Sequence, residues 1–215
     1  MVEIKSISKR YIKGSVEFTV LDNVSFKIEK GDYLAVTGVS GAGKSTLLNA
    51  IGGLIHPDSG EVFYNGRDIY KQKIKFIDEY RKKHVGFMFQ QFHLMPYLTV
   101  LDNIKLACYQ KQLLDSIQNY LEKCSLASLK NKFPSELSVG EKQRTAFIRA
   151  IISNPDLLLA DEPTGNLDPG NRTILMSLIE DYQKNGGTVL LVSHDPLAAK
   201  YANKRIILEK GRIVY

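Results

Sequence analysis

The stretch Gly38-Val39-Ser40-Gly41-Ala42-Gly43-Lys44-Ser45 constrains this chain more than any other. It lies between Asp32 to Thr37, a mostly apolar run that reads as a strand, and Lys44 to Ile51, which reads as a helix. Its three glycines let the backbone curl so that successive N–H groups face one anion. The N-terminus of the following helix turns its positive dipole end to the same anion. Lys44 would supply a point charge for the outer phosphates of a nucleotide, Ser45 a hydroxyl ligand for Mg²⁺, and Thr46 a contact to the inner phosphate. A strand, a tight loop and a helix in this order demand an α/β sheet.

The second half of the chain agrees with that demand. Leu157 to Ala160 and Thr188 to Ser193 are short apolar runs of the kind buried on both faces of a parallel sheet. Between them, Ile174 to Gln183 has helical spacing, and Gly186-Gly187 ends it. Asp161 closes the first run, where a carboxylate can hold Mg²⁺, usually through water. Glu162 follows, and Pro163 stops the strand. A carboxylate beside the metal-binding one is a reasonable general base for the water that attacks a γ-phosphate. A solvated strand-end residue is the lesser alternative for Glu162, given these neighbours.

Elsewhere the pattern is mixed. Val2 to Ser8 and Val24 to Ile28 alternate apolar and polar residues as half-buried strands do. Glu61 to Tyr64, Asn65-Gly66 and Arg67 onward read as a hairpin with a tight primed turn. His84 to Phe89 reads as a further short strand, and Thr99 to Lys130 carries helical spacing. After Pro134, the small-residue turn Leu137-Ser138-Val139-Gly140-Glu141 opens a helix, Glu141 to Ser153, bounded by Asn154-Pro155. That turn suggests a second surface for phosphate. Arg205 to Tyr215 reads as two edge strands joined around Lys210-Gly211.

The 215 residues suit one sizeable domain, and 44% hydrophobic with 24% charged residues describes an ordinary globular protein. A net charge of +6 could favour nucleic acid, anionic headgroups or nucleotide phosphates, but the basic residues are spread out, as on a solvated surface. Lys71 to Lys83 is the densest basic cluster and reads as a solvated helix face. Cys108 and Cys124 have no metal spacing and read as reduced, partly buried apolar residues. Met1 to Tyr11 carries charges where a signal peptide needs an apolar stretch, and no apolar run approaches membrane-spanning length. The expectation is a cytoplasmic chain that does not itself cross a membrane.

With these pieces assembled, the chain resembles the ATP-binding-cassette ATPases over essentially its full length. The phosphate loop, Leu137 to Glu141 as signature, and Asp161-Glu162 fall in the family's order. Gln90 sits at the family's switch glutamine, Gly165-Asn166-Leu167-Asp168 matches the loop that crosses between subunits, and His194 matches the switch histidine. A lone glutamine is usually a surface residue and a lone histidine after a strand usually structural, so these two depend on the set. Tyr11 aligns with the aromatic that stacks on adenine, though alone it could equally be a core tyrosine.

The resemblance implies a P-loop NTPase fold: an α/β parallel-sheet core (residues 1–90 and 154–215) with an N-terminal antiparallel β subdomain. A helical subdomain (91–153) is inserted and carries the signature. It implies ATP and Mg²⁺ as cofactors, with Lys44, Gln90, Glu162 and His194 in catalytic roles. Nucleotide contacts are implied for Tyr11, Gly38, Ser40, Gly41, Ala42, Gly43, Lys44, Ser45 and Thr46, and, from a second copy, for Ser138, Gly140, Glu141 and Asp168. Ser45, Gln90 and Asp161 would hold the metal. The family's usual Leu-Ser-Gly-Gly-Gln has valine at 139 and glutamate at 141 here. A β-branched residue strongly disfavours positive φ, so the Val139 backbone should not need it.

In such a family the chain would dimerise around ATP and drive a separate transmembrane permease, docking near Phe87 to Leu98, peripheral on the inner face of the cell membrane. Asp161 to Asp168, and the small insertion Lys13 to Thr19, look like the macrolide-export and lipoprotein-release branch. That branch implies export of an antimicrobial peptide, macrolide or lipoprotein, or transmission of force across the membrane. A cell-division-type cassette regulating peptidoglycan enzymes is the alternative. A nucleic-acid-associated cassette is disfavoured, because only Gln91 to Glu136 separates the switch glutamine from the signature, with no room for a long coiled coil. A small-molecule kinase would share the phosphate loop but leave the signature and His194 unexplained.

Overall fold

A computed structural model describes residues 1–109, 113–195 and 198–214. Two sheets organise it. The larger is six-stranded, and its core is parallel. It contains β3 (Tyr33–Thr37), β6 (Val85–Met88), β7 (Leu157–Asp161), β8 (Thr188–Ser193), β9 (Lys204–Glu209) and β10 (Arg212–Val214), in the order β10-β9-β3-β8-β7-β6. The smaller is antiparallel, with β1 (Val2–Lys13), β2 (Val16–Ile28), β4 (Ser59–Tyr64) and β5 (Arg67–Asp68) in the order β2-β1-β4-β5.

Side chains alternate across the large sheet, and each face has its own core. Leu34, Val36, Leu157, Leu159, Leu190 and Val192 pack with the small sheet and with α1 (Lys44–Ile51). Tyr33, Leu158, Ala160, Val189 and Leu191 pack on the other face. There they meet α3 (Val100–Lys105), α4 (Leu114–Lys123), α5 (Val139–Ile151) and α6 (Pro169–Lys184). Each of these fully buried aliphatic side chains stabilises the fold by roughly 1.5–3 kcal/mol. The basic segment ending at Lys83 forms α2 (Ile74–Lys83), which buries Tyr80 and leaves its charges in water.

Three elements differ from the sequence expectation. The alternation ending at Ser8 continues to Lys13, and β2 starts at Val16, so the stretch read as an insertion is the far end of a long hairpin. Register shifts between Ile4 and Arg10, with Ser6 at φ 52°, scramble the period-2 pattern and hide it. The helical spacing over Thr99 to Lys130 resolves into α3, α4 and a 3-10 turn at Ala127–Leu129; residues 110–112 lie outside those described. Within the C-terminal hairpin only β10 is an edge strand, because β9 pairs in parallel with β3; Tyr215 lies outside the described residues. The Asn65-Gly66 turn is as expected, both residues having positive φ, 47° and 79°.

Candidate nucleotide site

The phosphate loop connects β3 to α1 and is shaped by close approaches that exclude side chains. Gly43, at φ 100°, caps α1, and a Cβ there would stand 2.5 Å from the Val20 carbonyl oxygen. Gly211, in the turn between β9 and β10, donates its N–H to the Ala42 carbonyl at 3.1 Å. Inside this curl the Lys44 ammonium donates to the Gly38 and Val39 carbonyls at 2.8 and 3.1 Å and stands 3.7 Å from Glu162 Oε1.

Around the loop opens a cavity of about 1010 Å³, whose walls include Lys44, Ser45, Thr46, Gln90, Glu162 and His194. Gly38, Ser40, Gly41 and Gly43 also line it. Ala42, expected among the nucleotide contacts, is buried and does not line it. Three apolar residues not anticipated, Phe18, Val20 and Ile207, add to its walls. Tyr11, expected at the nucleotide, does not itself line the cavity: it faces Phe18 across the β1–β2 hairpin, their rings stacked with centroids 6.2 Å apart, and Phe18 is the aromatic that lines the wall. The signal was present in β2, whose exposed aromatic at 18 is paired with Tyr11, but the hairpin that pairs them was not foreseen.

Glu162 is placed by a turn of backbone. Its φ is 47°, left-handed for a residue with a Cβ, and its N–H still donates to the Val192 carbonyl at 2.9 Å. That turn aims its carboxylate at β8: Ser193 Oγ donates to it at 3.0 Å and the His194 N–H at 2.9 Å, and the His194 ring Nδ1 lies 2.9 Å from it. Asp161 ends β7 and accepts a 3.0 Å hydrogen bond from the Ser45 hydroxyl. Burial pushes the Asp161 carboxyl above its ordinary range, with the Ser45 hydroxyl pulling the other way and the Glu162 charge adding to the rise. Ser45, Asp161 and Gln90 are hard oxygen donors that fit Mg²⁺. Among the described residues no cluster of three or more His, Cys, Asp or Glu could hold an ion, so such a metal would complete its shell with phosphate oxygens and water.

Ser138, Gly140, Glu141 and Asp168 do not line this cavity. They form a second cluster at the start of α5 and α6. Ser138 caps α5 by accepting from the Glu141 N–H at 3.3 Å, while Glu141 accepts the Ser138 N–H at 2.7 Å. This capping box gives Glu141 a structural task and starts the helix at Val139, two residues earlier than the sequence pattern indicated. Val139 has no positive φ and is 42% exposed. Asp168 caps α6 through the Asn171 N–H at 3.0 Å, and the hydrogen bonds from Asn171 hold its carboxyl below the ordinary range. Ser138 and Asp168 are both exposed.

Comparison with known proteins agrees with this geometry. The ABC transporter family model matches residues 21–165. An uncharacterised ABC transporter ATP-binding protein of Methanocaldococcus jannaschii, MJ1508, is 39% identical over 100% of this chain and 98% of that protein. The macrolide export ATP-binding/permease protein MacB of Pasteurella multocida is 35% identical over 100% of this chain but only 34% of its own length. Two solved structures of the cassette MJ0796, one described as dimeric and one as a dimeric post-hydrolysis state bound to ADP and Pi, each match with a TM-score of 0.93. Both are 33% identical and cover 100% of this chain and 97% of the other. The P-loop NTPase fold, the phosphate loop and the signature turn therefore have one explanation: the chain belongs to the ABC transporter family, as an ATP-hydrolysing cassette.

Proposed function

We propose that this ATPase closes as a head-to-tail homodimer around Mg²⁺-ATP and transmits that closure to a membrane-spanning subunit. The carrying observation is the separation of two clusters of residues on one chain. Lys44, Glu162 and His194 share one cavity, whereas exposed Ser138 and Asp168 lie outside it. A second copy can bring its own Ser138 and Asp168 to the open side of that cavity. Each nucleotide then lies between the phosphate loop of one copy and the signature turn of the other. The dimers described for MJ0796 support this arrangement.

In the closed site Lys44 and the loop N–H groups hold the outer phosphates; Ser45, Gln90 and Asp161 would hold Mg²⁺, which when bound would supply positive charge to offset that of the phosphates. Glu162 accepts a proton from the attacking water as that water's oxygen bonds to the γ-phosphorus and the bond to the bridging oxygen breaks. His194, held by Glu162, faces the γ-phosphate. The γ-phosphate favours the closed dimer, and its loss removes that preference.

Residues 91–153 act as a helical arm between ATP and the membrane partner. The Phe87 to Leu98 surface is the docking site. Arg149 donates to the Phe92 and His93 carbonyls at 2.7 and 2.6 Å, and buried Asn103 holds Met95 and Leu98, which leaves Tyr97 72% exposed. Among the described residues no helix is long and apolar enough to cross a membrane. The similarity to the macrolide export ATP-binding/permease protein MacB supports export of a macrolide as the task. The test is ATP-dependent dimerisation measured by light scattering, together with phosphate release. A chain that stays monomeric with ATP when hydrolysis is blocked would remove the proposal. Loss of membrane-fraction recovery in Tyr97→Asp tests the docking surface.

A further inference from the structure

We propose that two neighbouring residues on the first turn of α6, Asn171 and Arg172, couple the two nucleotide half-sites of one chain; this rests on the dimer reading above. Asn171 reaches toward the signature turn. Its Oδ1 accepts a 2.5 Å hydrogen bond from Arg144 Nη1 of α5, and its Nδ2 donates to Asp168 Oδ2 at 2.6 Å. It also packs directly on Gly140, where a Cβ would stand 2.3 Å from Asn171 Oδ1. Arg172 reaches the opposite way. Its Nη1 donates to Asp195 Oδ2 at 2.9 Å, immediately after His194. The Asp195 N–H in turn donates to Ser193 Oγ at 3.0 Å, and that hydroxyl holds Glu162.

One helical turn therefore touches the signature cluster directly and is linked to the other cluster through Asp195 and Ser193. Gly140 and Asp168 belong to the half-site offered to a partner's nucleotide. Glu162 and His194 belong to the chain's own. A second tie runs alongside: buried Gln143 of α5 donates to the Pro163 carbonyl, one residue beyond Glu162, at 2.7 Å. A helix turn held at both ends cannot shift toward one half-site without moving the other, which is the physical requirement for coupling through packed elements. Asn171 and Arg172 touch neither phosphate position, so they are positioning residues.

The test is the ATP dependence of steady-state hydrolysis in the full chain. The wild type should respond cooperatively, with a Hill coefficient approaching about 2, the number of sites. Asn171→Ala and Arg172→Gln should each bring it to about 1. Binding of a fluorescent ATP analogue to the monomer, which reads the Lys44 half-site alone, should change less than about twofold, an affinity difference under about half a kcal/mol. Arg172→Lys keeps a cation toward Asp195 and should recover part of the cooperativity. It carries the same measurement should Arg172→Gln melt early. Unchanged cooperativity in folded Asn171→Ala and Arg172→Gln would overturn the coupling, as would hyperbolic hydrolysis by the wild type. Absence of any wild-type hydrolysis would instead overturn the functional reading and the coupling with it.

Discussion

Glu162 holds His194 at two points: its carboxylate accepts the His194 backbone N–H at 2.9 Å and lies 2.9 Å from the ring Nδ1. The same group receives the Ser193 hydroxyl and faces Lys44 at 3.7 Å, so one carboxylate ties β8 to the phosphate loop. Glu162→Gln keeps a carbonyl oxygen for the backbone N–H but cannot take a proton from water. Turnover should fall by about 10²–10⁴, the usual worth of a general base, while ATP is still bound and dimer accumulates on size exclusion. Phosphate release at the wild-type rate would remove Glu162 from that role.

Two glycines of the phosphate loop separate conformational strain from steric exclusion. Gly41, at φ 79°, has open space within 4 Å of where a Cβ would stand, so Gly41→Ala should meet backbone strain alone, about 1 kcal/mol. Gly43, at φ 100°, would add a clash with the Val20 carbonyl at 2.5 Å. Gly43→Ala should therefore destabilise by about 2–4 kcal/mol, strain plus overpacking, and weaken nucleotide binding. Urea midpoints for the two variants decide this. Equal losses would mean that Val20 moves aside.

Local signals in the sequence account for what was legible. Gly43 and Lys44 define the start of α1, and the helix runs from Lys44 to Ile51 as the pattern indicates. The apolar runs of β7 and β8 need no partner to be recognised, since both faces are buried. What was missed depends on pairing or capping. Asp168 with Pro169 starts α6 five residues before its apolar spacing becomes visible at Ile174, a cap signal outweighed by periodicity. Phe18 lines the site itself, but the pairing with Tyr11 that points to it depends on a register that bulges in β1 conceal. The ties from Asn171 to Arg144 and from Arg172 to Asp195 join distant segments by single side chains, which leaves no pattern in one sequence.

The two cysteines should react very differently. Cys124 is 1% exposed, and burial pushes its thiol up to about 12. Cys108 is half-buried, and its thiol is raised by burial as well. The thiolate is the nucleophile, so at pH 8 only ~10⁻⁴ of Cys124 is reactive even before access is counted. Iodoacetamide labelling read by mass spectrometry should modify Cys108 first and Cys124 only as the chain unfolds. Comparable rates at both would show that α4 opens readily in the native state.

Alkaline pH should destabilise the fold through its buried tyrosines. Burial raises the phenols of Tyr33, Tyr70, Tyr80 and Tyr182 above their ordinary value. A raised folded-state value means the stabilising neutral form is fully present below the unfolded value, near about 10, and is lost as pH rises past it. Above that point the unfolded chain releases protons that the native state retains, so each phenol contributes up to about 1.4 kcal/mol of lost stability per pH unit. Urea midpoints should thus hold level to about pH 9.5 and then fall steeply toward about pH 11.5. Tyr80 donates its hydroxyl to the Ile51 carbonyl at 3.0 Å, so Tyr80→Phe should lose about 1 kcal/mol at pH 8. The same variant should show a shallower alkaline fall, by one proton's worth, because the ionising group is gone from both states. A slope identical to the wild type would mean that Tyr80 ionises without unfolding.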